Sequence, residues 1–376
     1  MIKKLHSVHA LALAAFMAGS ACAADGGVEV KLSGYGTVAA TVTDSSDVDF
    51  RGNIWKTKGV SNSVDIGNDS RFGVQAVVLF NKDLSFTGQL VGQRRMTGVE
   101  DADFGKDKDL DPKVEWFYAQ YALAPSFNVR LGRSVLPAFL LSDSLNVGYA
   151  APWLRAPLHL YTSEVLSTLD GVQLNWRDAV GGFNLTAQGS YGKATGDYYI
   201  PALGSQTVQS EETYGLNLVV ERGNWLGRVG MVKATTPGRF GSVKDKYISA
   251  GVQYDNGELL VMGEFAKRDQ NKFAQIGNVA FITGEYSYLA GGWRFGSVLP
   301  MILWSKAEDK SANFVGGVTV KHLSSLGMSV RYDIAPNVAL KAQIDRYKAN
   351  DQLAFISPST TAESVKVLTV GVDFVF

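Results

Sequence analysis

The sequence predicts an all-β protein, a transmembrane antiparallel up-and-down β-barrel of about sixteen strands with a long inward-folded loop after strand 5. Three observations predict it. Apolar and polar residues alternate along nearly the whole chain beyond residue 27, with no helical period. Short turns and long connectors also alternate, which gathers tight turns at one end of a sheet and long loops at the other. Beyond residue 23 no segment is long and apolar enough for a membrane helix, and strands satisfy their backbone in lipid only as a closed barrel.

Residues 1–23, MIKKLHSVHALALAAFMAGSACA, begin with Lys3 and Lys4 and run through a short apolar stretch to small residues. Ala21-Cys22-Ala23 fits an A-x-A cleavage site, so we expect a cleaved export signal over 1–23 and one barrel domain over 24–376. In a competing reading Cys22 is a lipidated terminus, but Gly19 stands where such a signal wants leucine. Cleavage would remove the only cysteine, leaving neither disulfide nor thiol chemistry. It would also lower the 36 basic residues to 34 against 36 acidic, which excludes a globally basic nucleic-acid binder.

The alternation places strands at 28–43, 70–80, 84–96, 113–123, 127–136, 170–178, 183–193, 213–222, 225–236, 245–254, 258–268, 282–295, 299–308, 325–334, 338–348 and 363–376. In the first, Leu32, Val38 and Val42 share a face opposite Ser33, Thr37 and Thr41. In the second, Phe72, Val74 and Phe80 oppose Arg71 and Gln75. The third turns Gln89, Gln93 and Arg95 to its polar face. Asn81-Lys82-Asp83, Ala124-Pro125-Ser126, Gly223-Asn224 and Asp255-Asn256-Gly257 have tight-turn chemistry. Longer polar connectors occupy 44–69, 97–112, 137–168, 194–212, 237–244, 269–281, 309–324 and 349–362, although FVGGVTVKHL (314–323) could form a further strand.

Such alternation also suits a soluble sandwich. Aromatic residues near the strand ends favour lipid: Trp116, Phe117, Tyr118, Phe127, Phe183, Trp225, Tyr254, Trp293, Phe295, Phe374 and Phe376 read as girdles at the headgroup level. The apolar face then looks outward and the polar face lines a wet interior.

Residues 137–168, PAFLLSDSLNVGYAAPWLRAPLHLYTSEVLST, form a connection too long for an ordinary turn and too apolar for a disordered one. A barrel of this circumference is too wide for wall side chains alone to fill. Folding the loop inward would bury its apolar residues and narrow the passage, whereas a rim cap or a grip on a neighbouring subunit is the alternative.

At this point the chain resembles the Gram-negative general porins, trimeric sixteen-stranded diffusion channels, over nearly its whole length. LSGYGTV (32–38) is similar to the family's first strand. LGR (131–133), followed by SDSLNVGYAAPW (142–153), stands where the family places its constriction loop. PNVALKAQIDRY (336–347) resembles the penultimate strand, and VGVDFVF (370–376) the closing one. The resemblance implies an outer-membrane location and passive passage of small hydrophilic solutes and ions. It also implies a homotrimer, and recognition of Phe376 by outer-membrane assembly machinery. Pro137-Ala138-Phe139-Leu140-Leu141 departs from the family's Pro-Glu-Phe-Gly-Gly type of loop tip, lacking the acid and both glycines.

The resemblance further implies acidic loop residues facing wall arginines across the narrowest point. On predicted polar faces lie Arg71, Arg95, Arg130, Arg177, Arg331 and Lys341, and the long loop supplies Asp143, Arg155 and Glu164. Rings of charge of this kind select ions by field and width, without chemistry. Simple alternation turns Arg94 and Arg133 toward lipid, which calls for a rim position or a bulge. In the acidic connector 99–111, Asp107-x-Asp109-x-Asp111 lacks the glycine and glutamate of a calcium loop, so no metal or other cofactor is expected.

Three readings compete with a pore: a barrel hydrolase, an adhesin or structural barrel with a plugged lumen, and a soluble secreted β-protein. A serine–histidine hydrolase needs a histidine beside its nucleophile, and beyond residue 23 only His159 and His322 are present, neither in a recognisable motif.

Overall fold

The computed structural model describes residues 21–23, 27–56, 58–95, 108–200, 204–237, 242–270, 279–313, 318–348, 356–357 and 364–376. Among the described residues, sixteen strands form the wall: β1 Glu29–Thr43, β2 Arg71–Leu79, β3 Leu84–Arg95, β4 Lys108–Ala124, β5 Phe127–Val135, β6 Thr168–Val180, β7 Phe183–Ile200, β8 Glu212–Arg222, β9 Trp225–Thr236, β10 Val243–Asp255, β11 Leu259–Gln270, β12 Val279–Trp293, β13 Val298–Asn313, β14 Val318–Ala335, β15 Val338–Lys348 and β16 Ser364–Val375. Each pairs antiparallel with the next. β16 pairs with β1 from Tyr35↔Val375 to Thr43↔Val367, and Gly34 and Phe376 exchange two backbone bonds of 2.9 Å. The sheet therefore closes. Most of the expected export signal, residues 1–20, lies outside the described residues, as do 99–107 of the acidic connector 99–111.

Two expected connectors, 194–212 and 309–324, are largely strand, and a third, 97–112, is strand over its described residues. β4 starts at Lys108, β7 runs to Ile200 and pairs there with Gly204–Gln209, and β13 and β14 reach Asn313 and Val318. Above the lipid both faces of a strand meet water, so the alternation that betrays it lower down is lost. Residues 318–323 of the segment 314–323 therefore belong to β14 rather than to a separate strand, and 314–317 lie outside the described residues.

Outward residues are apolar and exposed: Leu32, Val74, Leu131, Leu216, Val229, Leu289, Ile302 and Met328. The aromatic rings gather mainly at the short-turn end, where Trp225 meets Tyr254 at a tilt with centroids 4.7 Å apart and Trp293, Phe295 and Phe376 stand exposed. Trp116 and Tyr118 depart from the girdle reading: a bulge beside Gln89 turns Trp116 inward, and Tyr118 is buried. It faces inward beneath Arg130, whose guanidinium lies 4.8 Å from its ring.

Register explains the two awkward arginines. A slip between Gln93 and Arg95 rotates Arg94 inward, where it pairs with Asp65 at 3.0 Å. Arg133 stays outside near the long-loop end, held by two 2.7 Å bonds to Asp170 of β6. The backbone before it bends at Gly132, whose φ of 129° other residues rarely adopt.

Candidate functional site

The loop between β5 and β6 enters the barrel. It contains two 3₁₀ turns, Ser142–Ser144 and Gly148–Ala150, and one short helix, α1, Leu158–Tyr161. Leu140, Trp153, Leu158 and Leu160 are buried against inward residues of β10–β14, including Tyr247, Met262, Tyr288 and Met301. Trp153 meets Tyr288 edge-on at 5.8 Å, and Phe139 lies 4.9 Å from Tyr161. Burying a large apolar side chain stabilises by about 1.5–3 kcal/mol, so a few such residues suffice to hold the loop.

An irregular segment buried this way must still satisfy its backbone. Wall side chains do so along its length. Arg228 of β9 donates to the carbonyls of Pro137 (2.5 Å) and Ala138 (3.3 Å), while Glu264 of β11 accepts from the Leu140 N–H at 2.8 Å. Arg331 of β14 donates to Tyr149 O (2.6 Å) and Ala151 O (3.0 Å). Lys341 of β15 reaches the carbonyls of Gly148, Ala151 and Trp153 and pairs with Asp373 at 2.7 Å. Gln343 accepts from the N–H groups of Leu154 and Arg155, each at 3.0 Å.

Connector 44–69, read from sequence as polar, is a second inward segment. Val48, Phe50, Ile54 and Val60 are buried, and Asp49–Phe50 pair with Ile356–Ser357. Arg155 joins the two loops to the wall. Its guanidinium bonds Asp69 (2.6 Å), Asp345 (3.0 Å) and Thr369 (2.6 Å) and lies over the Phe50 ring at 4.8 Å. Burial alone would raise Asp69, but the charges of Arg155 and Lys56 outweigh it and hold its carboxyl well below the usual range. Burial lowers Lys56 to about 8, and its ammonium donates to the Asn68 carbonyl.

With the loop docked on β9–β16, a cleft remains between it, the 44–69 segment and the opposite wall, apolar on its loop side at Leu141, Leu145 and Leu154 and polar elsewhere. The loop contributes Ser142, Asp143, Ser144 and Asn146. The wall contributes Arg71 of β2, Gln89, Gln93 and Arg95 of β3, and Lys113, Glu115 and Trp116 of β4. Arg95 pairs with Glu115 at 2.5 Å and Lys113 with Asp197 at 2.7 Å. Among the described residues, Arg71 and Asp143 make no ion pair.

The nine residues selected from sequence thus fall into distinct places. Arg71, Arg95 and Asp143 border the cleft, as do the more deeply buried Arg155 and Glu164. Arg130 lies within the wall, bonded to Gln120 (2.8 Å) and Gln173 (3.2 Å). Arg155, Arg331 and Lys341 hold the loop. Glu164 is buried and accepts from the Leu166 N–H at 2.9 Å, while burial, with Asp245 adding to it over the opposing Arg268, raises it to about 7. Arg177 is exposed near the short-turn end. Sequence reading missed Arg228, Glu264, Gln343, Asp345 and Lys113. Lys341-Ala342-Gln343-Ile344-Asp345 did carry a signal, three polar groups at alternate positions of one strand.

A closed antiparallel barrel with a lipid-facing apolar belt, an inward loop and a charged interior cleft defines a transmembrane diffusion channel. The chain belongs to the Gram-negative porin family, whose profile matches residues 10–352. It is an outer-membrane porin. No curated protein matches it in sequence. Its fold is similar to the anion-selective porin from Comamonas acidovorans, at 14% identity over 93% of this chain and 100% of that one, with a TM-score of 0.55. It is also similar to Salmonella typhi OmpF, solved in complex with daunomycin (14%, 95% and 100%, TM-score 0.57). A third similar structure is the trimer form of OmpT, an outer-membrane protein of Vibrio cholerae (12%, 93% and 99%, TM-score 0.54).

Proposed function

We propose that small hydrophilic solutes and ions pass through the cleft between Asp143 and the wall residues Arg71, Arg95 and Lys113. These residues form the constriction and set its transverse field. The observation that carries this reading is the one-sided docking of the long loop, which leaves its Ser142–Asn146 edge opposite a polar wall rather than against an apolar one. The protein acts as a homotrimer, a reading supported by the trimer form of the Vibrio cholerae relative. Phe376, exposed at the end of the closing strand, is its address for the assembly machinery.

The channel transports without catalysis. His159 shares a 2.8 Å hydrogen bond with Ser305, but the pair is buried beneath the loop at 3% and 2% exposure, where no substrate reaches it. Planar-bilayer recording of the refolded protein tests the proposal. Stable ohmic conductance in steps of three, with a solute size cutoff, is the expected result. Conductance no greater than that of bare lipid would instead favour the plugged structural barrel.

A further inference from the structure

The inner wall of β5–β8, apart from the cleft, carries a row of four amides. Asn128, Asn175, Gln188 and Asn217 stand at directly opposite positions on neighbouring strands, and Gly230 of β9 continues the row. Leu174, Leu216 and Val229, each one residue away along its strand, face lipid, so the amides face the interior. All four are half-buried. Asn175 Nδ2 donates to Asn128 Oδ1 at 3.1 Å. Among the described residues the side chains of Gln188 and Asn217 bond to nothing, and Asn217 Oδ1 is buried. At Gly230 the row meets the foot of the long loop, where the Arg228 guanidinium lies over the glycine and Ser249 donates to Ala138 O at 2.7 Å.

The neighbouring row toward the long loops is Gln120, Arg130, Gln173 and Ser190. Gln120 and Gln173 fix the Arg130 guanidinium by accepting from its Nε and Nη1, and Tyr118 lies against its face. Among the described residues its Nη2 has no protein partner. Toward the short turns, Arg177 stands two residues beyond Asn175. Neither arginine makes an ion pair among the described residues, and no acid stands in the amide row or in the rows on either side of it. Arg95, Arg133, Arg155 and Arg294, by contrast, each pair with a carboxylate. A guanidinium held in place by neutral groups keeps its charge uncancelled, and its fork geometry matches a carboxylate.

We propose that this wall is a binding track for sugar acids, polyhydroxylated monocarboxylates inside the barrel. The carboxylate sits on Arg130, and the hydroxyls lie along Asn175, Gln188 and Asn217. Amides and hydroxyls each donate and accept, so the two pair in either sense. Adjacent strands stand about 4.8 Å apart, close to the length of one pyranose ring, so successive amides meet opposite edges of a ring. A bare carboxylate leaves the amides unused, and a neutral sugar brings no counter-charge to the guanidinium. The track rests on the water-filled passage proposed above.

Planar-bilayer recording of the refolded protein with glucuronate, glucose or acetate added tests the track and the passage separately. Glucuronate is expected to block the ion current saturably, at a concentration about tenfold below that at which glucose or acetate acts. Arg130→Gln should raise that concentration about tenfold or more, the equivalent of one hydrogen bond to a charged group. The double variant Gln188→Ala/Asn217→Ala should raise it about fivefold, as expected for neutral hydrogen bonds. Each variant is read at parental conductance before solute is added, which shows that its barrel is formed. Arg222→Ala removes an exposed cation at the short-turn end but off the row, and should leave the block unchanged. An open pore on which the three solutes act alike, undiminished block in either row variant, or an equal loss in Arg222→Ala would each overturn the track and leave the passage standing. A parent protein without conductance would remove both.

Discussion

The inner faces of β2–β5 and of β10–β14 look into the same barrel with opposite chemistry. The first carries Gln75, Gln89, Gln93, Arg95, Gln120 and Arg130; the second carries Tyr247, Leu260, Met262, Tyr286, Leu299 and Leu303, all buried. A wide barrel cannot fill itself from its wall. This one recruits a loop to do so on one side only, and the apolar inner face is what fixes that side. The polar half is left bordering the cleft, with Gln89, Gln93 and Arg95 themselves largely buried along it. Pore position and loop position are thus one decision, made by the asymmetry of the inner face.

The largest effect should come from removing the docked element. Deleting residues 140–155 is expected to raise single-channel conductance in bilayers and weaken solute exclusion. An unchanged conductance would mean that the loop does not bound the passage.

Next is the joint between the two inward loops. Arg155→Ala leaves Asp345 buried without its cation and Asp69 with Lys56 alone, a loss of about 3–5 kcal/mol. Thermal unfolding in detergent should show it, with trypsin cutting newly released sites at Arg51 and Lys56. A variant as stable and as protease-resistant as the parent would remove Arg155 from that role.

The apolar contact alone is tested by Leu160→Ala, at a site with 0% exposure, which should cost about 2–5 kcal/mol by leaving a cavity. The same truncation at outward Leu289, 56% exposed, should be far milder in detergent, where micelle replaces lipid.

The docked loop also responds to pH in two opposed ways. Burial pushes Glu164 up to about 7, so between its ordinary 4.5 and that value the folded loop holds a proton that the unfolded chain lacks, and stability falls as pH rises. Burial pushes His159 down to about 4, so between 6.5 and that value the unfolded chain takes up the proton, and stability falls as pH drops. Acidification from about pH 7 to about pH 4 should therefore cost Glu164→Gln more stability, and His159→Asn less, than the same change costs the parent protein. Departures from the parent of the same sign in both variants would contradict the assignment.

The smallest effect belongs to the polar half. A charge roughly 7 Å from an ion's path in water is worth about 0.6 kcal/mol, or about threefold in relative permeability. Arg71→Ser should shift reversal potentials toward cations by that amount, and Asp143→Asn toward anions. If neither moves the reversal potential, the ions pass elsewhere.

Strand positions were legible because lipid outside and water inside impose a two-residue period, and that signal stopped where both faces were wet, as at β7 and β13–β14. Inward entry of the long loop was legible from its greasy composition. Its side was written more faintly. Val298-Leu299-Pro300-Met301-Ile302-Leu303-Trp304 is apolar on both faces, a sign that β13 has an oily neighbour within as well as lipid without. The charged residues were the least legible. Arg71, Arg331 and Lys341 all stand on inward positions of alternating strands, yet one borders the cleft and two cap loop carbonyls.

Taken alone, the sequence determined a closed barrel in the outer membrane, its approximate strand positions and an inward loop, because alternation and composition are local properties read along the chain. Tertiary structure decided which wall the loop covers, that residues 44–69 join it inside, and which charges are left facing water. Those outcomes depend on pairs such as Arg155 with Asp345 and Lys341 with Gly148, separated by about 190 residues, whose meeting is governed by packing that no local period encodes.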